Sequence, residues 1–294
     1  MNYQHAFHAG NFADVHKHVV LTLVLDYLRR KPAPFRVIDS HAGVGRYDLT
    51  GPEAARSPEW RDGIARLVAA APDLRGSAYA LLKPYLDIVA AQNLSGALRV
   101  YPGSPLIAKA RLRPQDRLVA CELEPRAAAS LKASLRGDPR IKTLTIDGWI
   151  AVKANVPPKE RRGLMLIDPP YEDAHDFIRL TDALGEAHRK WPTGIYMLWY
   201  PIKERAAPDA LARRLRRLGV TKVLRSEITL AATRPGAGLA GSGLIVVNPP
   251  HTLAGDLQIL LPVLIRVFSP DGTQRLDWLA GEAPHSFRRR VAKA

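Results

Sequence analysis

Short apolar runs alternate with longer amphipathic stretches along most of the chain. The runs fall at 35–39 (FRVID), 117–121, 142–146, 163–167, 194–199, 222–230 and 243–247. Between most of them lie segments with helical spacing, at 105–111, 125–135, 149–155, 174–191 and 209–218. Such alternation predicts an α/β fold with a mainly parallel sheet. An N-terminal helix is expected to start at a cap on Asn11 or Asp14 and to run to about Arg30, where Lys31-Pro32-Ala33-Pro34 stops it. A last helix is expected over 253–268. No helix separates the runs at 222–230 and 243–247, so these two are expected as an antiparallel edge pair. The prediction is a seven-stranded, mostly parallel sheet with one reversed strand. The stretch 48–100 breaks the alternation. It holds two helical segments, 58–71 and 77–91, joined at Pro72-Asp73, and no strand. It reads as a helical insertion.

Composition narrows the partners. The 294 residues are 47% hydrophobic, enough for a substantial core. The 43 Lys and Arg against 28 Asp and Glu leave a net charge of +15, which favours a polyanionic partner, nucleic acid being the commonest. The single Cys121 excludes an intramolecular disulfide and a cysteine-based zinc site. The nine histidines lack ligand spacing, and no metal is expected. The N-terminus is polar, and the longest apolar runs, 19–25 and 259–265, are too short to span a bilayer. A soluble, cytoplasmic chain with no membrane contact is expected, with a monomer as the default.

The first strand opens into Ser40-His41-Ala42-Gly43-Val44-Gly45. Ligands of open α/β sheets bind at such strand ends. The third position after Gly45 is Asp48, so a full dinucleotide fingerprint is missing. Asp39, Glu122 and Asp147 stand at three successive strand tips. One such acid is an ordinary turn or cap residue. Three in order suit an adenosyl ligand, with Glu122 on the ribose hydroxyls and Asp147 near the adenine amine. With no Lys or Arg among them, a phosphate-free ligand such as S-adenosyl-L-methionine is indicated.

Asp168-Pro169-Pro170-Tyr171 follows the run 163–167 and is the most specific feature of the chain. Two prolines stiffen the turn. The Asp168 carboxylate and the Pro169 carbonyl are two acceptors for the N–H bonds of a planar amine, and Tyr171 offers a ring to an extruded base. Direct methyl displacement then requires alignment above all. A similar segment, Asn248-Pro249-Pro250-His251, has no aromatic residue at the last position and reads as a strand-ending turn.

Together these residues resemble the RlmJ family of bacterial large-subunit ribosomal RNA adenine-N6 methyltransferases. The most particular stretch is Tyr3-Gln4-His5-Ala6-Phe7-His8-Ala9-Gly10-Asn11 with Asp14-Val15 and Lys17-His18. His41-Ala42-Gly43, Tyr101-Pro102-Gly103-Ser104-Pro105, Glu122-Leu123, Asp147-Gly148, the tetrad, Trp199-Tyr200-Pro201 and Asn248-Pro249-Pro250 complete it. The resemblance spans about 2–278. It implies a Rossmann-like class I methyltransferase core over 1–47 and 101–278 and an inserted helical subdomain over 48–100, and it leaves 279–294 as a basic tail with Arg288-Arg289-Arg290. It implies cofactor contacts at His18, His41, Ser104, Glu122, Asp147, Gly148 and Asp168, catalysis by Asp168, and a substrate contact at Tyr3. By themselves His18 and His41 read as a helix and a turn histidine, and Ser104 as a helix N-cap.

On the substrate side, Pro169, Tyr171 and Lys17 join Tyr3, with Lys17 read as a phosphate contact. Arg213-Arg214-Leu215-Arg216-Arg217, with Lys222 and Arg225 beyond it, and Arg161-Arg162 are further clamp candidates or simply solvated. The expected substrate is 23S ribosomal RNA, naked or at an early stage of assembly. Four rivals are a DNA adenine-N6 methyltransferase, a protein glutamine methyltransferase, a non-catalytic nucleic-acid-binding module with a vestigial cofactor site and a hydride-transferring dehydrogenase. The short insertion, the +15 charge and the complete residue set argue against the first three in turn, and the missing dinucleotide fingerprint argues against the fourth.

Overall fold

In the computed structural model, residues 5–173, 175–230 and 238–281 are described. Helix α1 (Phe12–Arg29) leads into β1 (Arg36–Asp39). The chain then passes through β2 (Arg46–Asp48), α2 (Pro52–Arg56), α3 (Ile64–Ala70), α4 (Gly76–Ala91) and β3 (Val100–Pro102), with β2 and β3 paired antiparallel in a small ribbon of their own. Alternation follows: α5 (Ser104–Arg111), β4 (Arg117–Glu122), α6 (Pro125–Ser134), β5 (Ile141–Thr145), α7 (Gly148–Ala154), β6 (Gly163–Ile167), α8 (Asp176–Lys190), β7 (Ile195–Ile202), α9 (Ala206–Arg217) and β8 (Val223–Thr229). Then come β9 (Gly241–Val247), α10 (Leu253–Phe268) and β10 (Thr273–Ala280).

The main sheet has eight strands in the order β10-β8-β9-β7-β6-β1-β4-β5. The Rossmann-like α/β prediction holds, with one strand more than expected. Strand β9 inserts antiparallel between β7 and β8, and β10 closes the edge antiparallel to β8. The expected edge pair therefore lies inside the sheet. Strand β10 escapes the hydrophobic pattern because most of its residues are at least partly exposed, as an edge strand's are. Arg225 holds it in place: its buried guanidinium donates to Asp277 Oδ1 (2.8 Å) and Oδ2 (2.7 Å). The expected tail at 279 thus starts inside a strand, and residues 282–294 lie outside the described ones.

One core face packs α1, α4, α5 and α10 against the sheet, and the other packs α8 and α9. Helix α1 is covered on nearly all sides, from Ala13 to Leu28. A helix buried all round must satisfy every polar side chain it carries. Asp14, His16, Lys17 and His18 are therefore forced into partnerships. Asn11 is the N-cap of α1, its side chain accepting from Asp14 N–H.

Between β2 and β3 the described residues hold only helices and turns. The single helix expected over 58–71 is split into a 3-10 turn at Glu59–Arg61 and α3. Gly63 causes the break. A Cβ there would lie 2.2 Å from Gly10 O and 2.5 Å from Asn11 C, so the backbone of the N-terminal segment rests directly on it. Gly63→Ala is expected to cost about 1–3 kcal/mol, because two backbones cannot rotate out of the way. A urea midpoint equal to that of the unaltered protein would show the contact to be compliant.

Candidate active site

Strands β1, β4, β5, β6 and β7 point their carboxyl ends into one cleft of about 1660 Å³. His18, His41, Ser104, Glu122, Asp147 and Gly148 line it. So do Lys17, Asp168, Pro169 and Tyr171. Tyr3 lies outside the described residues.

On one side stand the strand-tip acids. Glu122 is held by two backbone donors, Gly43 N–H to Oε2 and Glu124 N–H to Oε1, both at 2.9 Å. Gly43 reaches this position with φ of 62°, a left-handed conformation that glycine adopts freely. Asp147 caps α7, accepting from Ile150 N–H at 3.0 Å. Ser104 differs from its expected place. Gly103 is the N-cap, while Ser104 is the first helical residue and its hydroxyl donates to Asp39 Oδ2 at 2.7 Å. Asp39 is buried behind that hydroxyl, and its Oδ1 has no hydrogen bond of ordinary geometry. Burial, reinforced by the charge of Asp168, raises its pKa to about 7, although the Ser104 bond opposes the rise.

Two neutral imidazoles complete this side. Burial lowers His18 to about 3 and His41 to about 4. His18 Nδ1 shares a 2.7 Å bond with the Tyr101 hydroxyl. His41 Nδ1 shares a 2.8 Å bond with the Ser40 hydroxyl, and its ring meets Trp149 edge-on at 5.2 Å. The same ring rests on Gly148, where a Cβ would sit 2.2 Å from Nε2. Gly148→Ala is expected to push the imidazole into the cleft and weaken cofactor binding tenfold or more. Unchanged affinity by calorimetry would show that His41 can yield elsewhere.

On the other side, β6 delivers the tetrad. Tyr171 has φ of 53°, which a non-glycine residue adopts only when held. Its hydroxyl donates to Trp199 O at 2.5 Å, and its ring packs against Phe177 and Trp199. Lys17 is not a solvated phosphate contact. It is 3% exposed, ion-paired to Asp168 and to Asp14 (2.9 Å), and lies 5.4 Å from the Trp199 ring centroid. Burial opposes its charge, but the two carboxylates outweigh that penalty and its pKa is raised. Asp14 is itself committed to Gly10 N–H and His5 Nε2, each at 2.9 Å.

The family model described as Ribosomal RNA large subunit methyltransferase D, RlmJ, matches residues 32–280. The chain belongs to this family. It is 40% identical to the Ribosomal RNA large subunit methyltransferase J of Escherichia coli over 284 residues, 96% of this chain and all of that protein. The Haemophilus influenzae protein of the same name is 38% identical over 285 residues, again 96% of this chain and all of that one. A crystal structure of a Legionella pneumophila protein aligns with a TM-score of 0.86 at 33% identity, covering 92% of this chain and 98% of that one.

Two residues of the cleft, Asp14 and Trp199, are not singled out by sequence and stand out only once Lys17 is seen between them. Asp39 and Ser104 are both singled out, but the bond between them is visible only in the cleft. The i,i+3 spacing of Asp14 and Lys17 on a helix without a polar face is the one signal that could have found the ion pair. Asn248 lies at the opposite end of the sheet. Its amide donates to Pro192 O and Gly194 O, both at 2.8 Å, so the second Pro-Pro segment ends a strand away from the cleft. The expected clamps are also remote. Arg161 and Arg162 precede β6, Arg213 to Arg217 close α9 as it runs away from the cleft, and Lys222 precedes β8. Arg225 is no clamp, because its guanidinium is buried and bound to Asp277.

Proposed function

We propose that this RlmJ-family chain methylates N6 of an adenine in 23S ribosomal RNA, with S-adenosyl-L-methionine as donor. The observation that carries this reading is the meeting of two acceptor sets in one cleft. The strand-tip acids suit an adenosyl ligand, and the Asp168-Pro169 acceptors face them from β6. The residues fit that cofactor. Glu122 and Asp147 offer acceptors to hydroxyls and an amine, and the buried, under-bonded Asp39 Oδ1 favours a cationic neighbour. The +15 charge and the family's ribosomal substrates favour RNA.

When bound, the cofactor supplies an electrophilic methyl group on its sulfonium. The chain's own groups do the rest. Asp168 accepts one N–H of the target amine and the Pro169 carbonyl the other, which draws the nitrogen lone pair out of the ring and aims it at the donor. Lys17 holds the Asp168 carboxylate in one orientation through their ion pair. The amine becomes acidic only once alkylated, so Asp168 orients it and offsets the developing positive charge. Tyr171 completes the base side, the family resemblance adds a substrate contact at Tyr3, and His18, His41, Ser104 and Gly148 shape the donor side.

The domain reading is a core over 1–47 and 101–278 with the insertion at 48–100. Among the described residues no helix is long and apolar enough to cross a membrane and no His, Cys, Asp and Glu cluster could hold a metal. The reading is completed by a cytoplasmic monomer acting on naked or early-assembly RNA. The test is to incubate the protein with S-adenosyl-L-methionine and unmodified 23S RNA, digest the RNA, and search by mass spectrometry for N6-methyladenosine. Bound cofactor without that nucleoside would overturn the substrate and leave the fold.

A further inference from the structure

The cleft does not account for the charge of the chain. Along its walls acidic side chains outnumber Lys and Arg by more than two to one, yet the chain as a whole carries +15. The excess collects at the opposite end of the sheet. There α1, α6, α7, α8 and α9 end and β1, β5, β6, β7 and β8 begin, so the connecting loops share one face. Arg30, Lys31, Lys159, Arg161, Arg189 and Arg217 lie on it. All six are exposed. None has an ion-pair partner among the described residues, although Arg30 lies over the Tyr27 ring.

Basic residues at helix carboxyl ends complement the helix dipole, and parallel α/β folds gather those ends at one face. That effect fades beyond the last turn. It does not reach Lys159 and Arg161, which sit five and seven residues past the end of α7 (Gly148–Ala154). Strand β10 also ends on this face, Ala280 pairing with Val223 at the start of β8. The chain continues from there into a sequence with Arg288, Arg289, Arg290 and Lys293.

We propose that this basal face is a second RNA contact, which grips phosphates of the substrate RNA far from the methylated base. The proposal rests on the reading of the protein as an RNA methyltransferase. A five-residue strand such as β6 spans about 17 Å, so one nucleotide cannot reach both ends of the sheet. The basal contact therefore belongs to another segment of the same RNA. It adds affinity and salt dependence and carries no base choice.

The test compares two substrates, full-length 23S RNA and a short fragment bearing only the mapped target adenine. The variant combines Arg30→Glu, Lys159→Glu, Arg189→Glu and Arg217→Glu, with the four Gln replacements as a second, milder variant. On the long RNA, KM is expected to rise tenfold or more for the Glu variant. The slope of log affinity against log salt should flatten by about three, at 0.7 to 0.9 per lost phosphate contact. On the fragment, kcat and KM stay within twofold. Unchanged KM and slope on the long RNA, with only a lower Tm, would mean that these charges serve the helix ends, and the proposal falls. Equal losses on both RNAs in both variants would also overturn it, since the damage would then reach the cleft. If the unaltered protein methylates neither RNA, the functional reading fails separately, and filter binding of the long RNA still decides the surface by the same slopes.

Discussion

Asp168→Ala is expected to lower kcat by roughly 10³-fold and Lys17→Met by roughly 10²-fold, the range found when one preorganised polar group is removed from an active site. The double variant should be no slower than Asp168→Ala alone, because Lys17 acts through Asp168. In Asp168→Ala the ammonium keeps Asp14 at 2.9 Å, so the fold should persist and the loss is one of acceptor and orientation. In Lys17→Met the buried Asp14 and the half-buried Asp168 lose their shared counter-ion. Asp14 retains Gly10 N–H and His5, whereas Asp168 loses the group that orients it and is free to turn toward water. That turns the acceptor away from the amine. Breaking such a pair also costs about 3–5 kcal/mol of stability at most, so rates must be read well below the Tm. Lys17 touches neither Glu122 nor Asp147, and cofactor affinity should change less than threefold. Lys17→Arg, which keeps the charge, should recover part of the rate. Single-turnover rates with calorimetric cofactor binding decide the matter. Multiplicative loss in the double variant would make Lys17 an independent actor, and a rate above one tenth in Asp168→Ala would remove Asp168 from the chemistry.

Local pattern was sufficient where local physics decides. The run 163–167 is a strand over its whole predicted length and 253–268 a helix over its whole length, because each is apolar, continuous and flanked by turn residues. The strand-tip acids were legible for the same reason: parallel strands deliver whatever follows them to one end of the sheet. The exposed reading of Lys17 fails because its partners Asp168 and Trp199 come from the end of β6 and from β7, far away in sequence, and because α4, α5, α10 and β9 cover the helix that carries it. A helix reads as half-exposed until something is known to cover its other side. Ser104 shifted by one position because a cap depends on backbone angles that the string Pro102-Gly103-Ser104-Pro105 does not fix. Strand β10 was missed because its stability comes from a buried Arg225–Asp277 pair and ladder bonds, and apolar alternation contributes little.

Cofactor affinity is expected to rise with pH between about 5 and 7, by up to tenfold per unit, and then to level off. The group responsible is Asp39. Its folded pKa of about 7 lies above the ordinary 3.8, so near pH 5 it is mainly neutral in the free protein. A cationic ligand favours the carboxylate, so binding expels a proton, and expelling it becomes easier as pH rises. Stability runs the other way. A folded pKa raised above the unfolded one contributes stability that is fully present below about pH 4 and is lost as pH rises through about 7. Asp39→Asn keeps an acceptor for the Ser104 hydroxyl and removes the charge. It should raise the Tm at pH 8, leave it nearly unchanged at pH 4, and make affinity weaker and flat with pH. His18 and His41 stay neutral through this window and Lys17 stays charged. His8 is the confounder. Its bond to Glu59 raises its pKa from 6.5 despite burial, and its loss of charge at rising pH would favour a cation in the same sense. His8→Gln therefore runs beside Asp39→Asn. A pH slope that survives in Asp39→Asn and vanishes in His8→Gln would move the linkage to the rim of the cleft. A slope that vanishes only in Asp39→Asn would place it on the carboxylate behind Ser104, where burial makes a negative charge costly until a cation arrives.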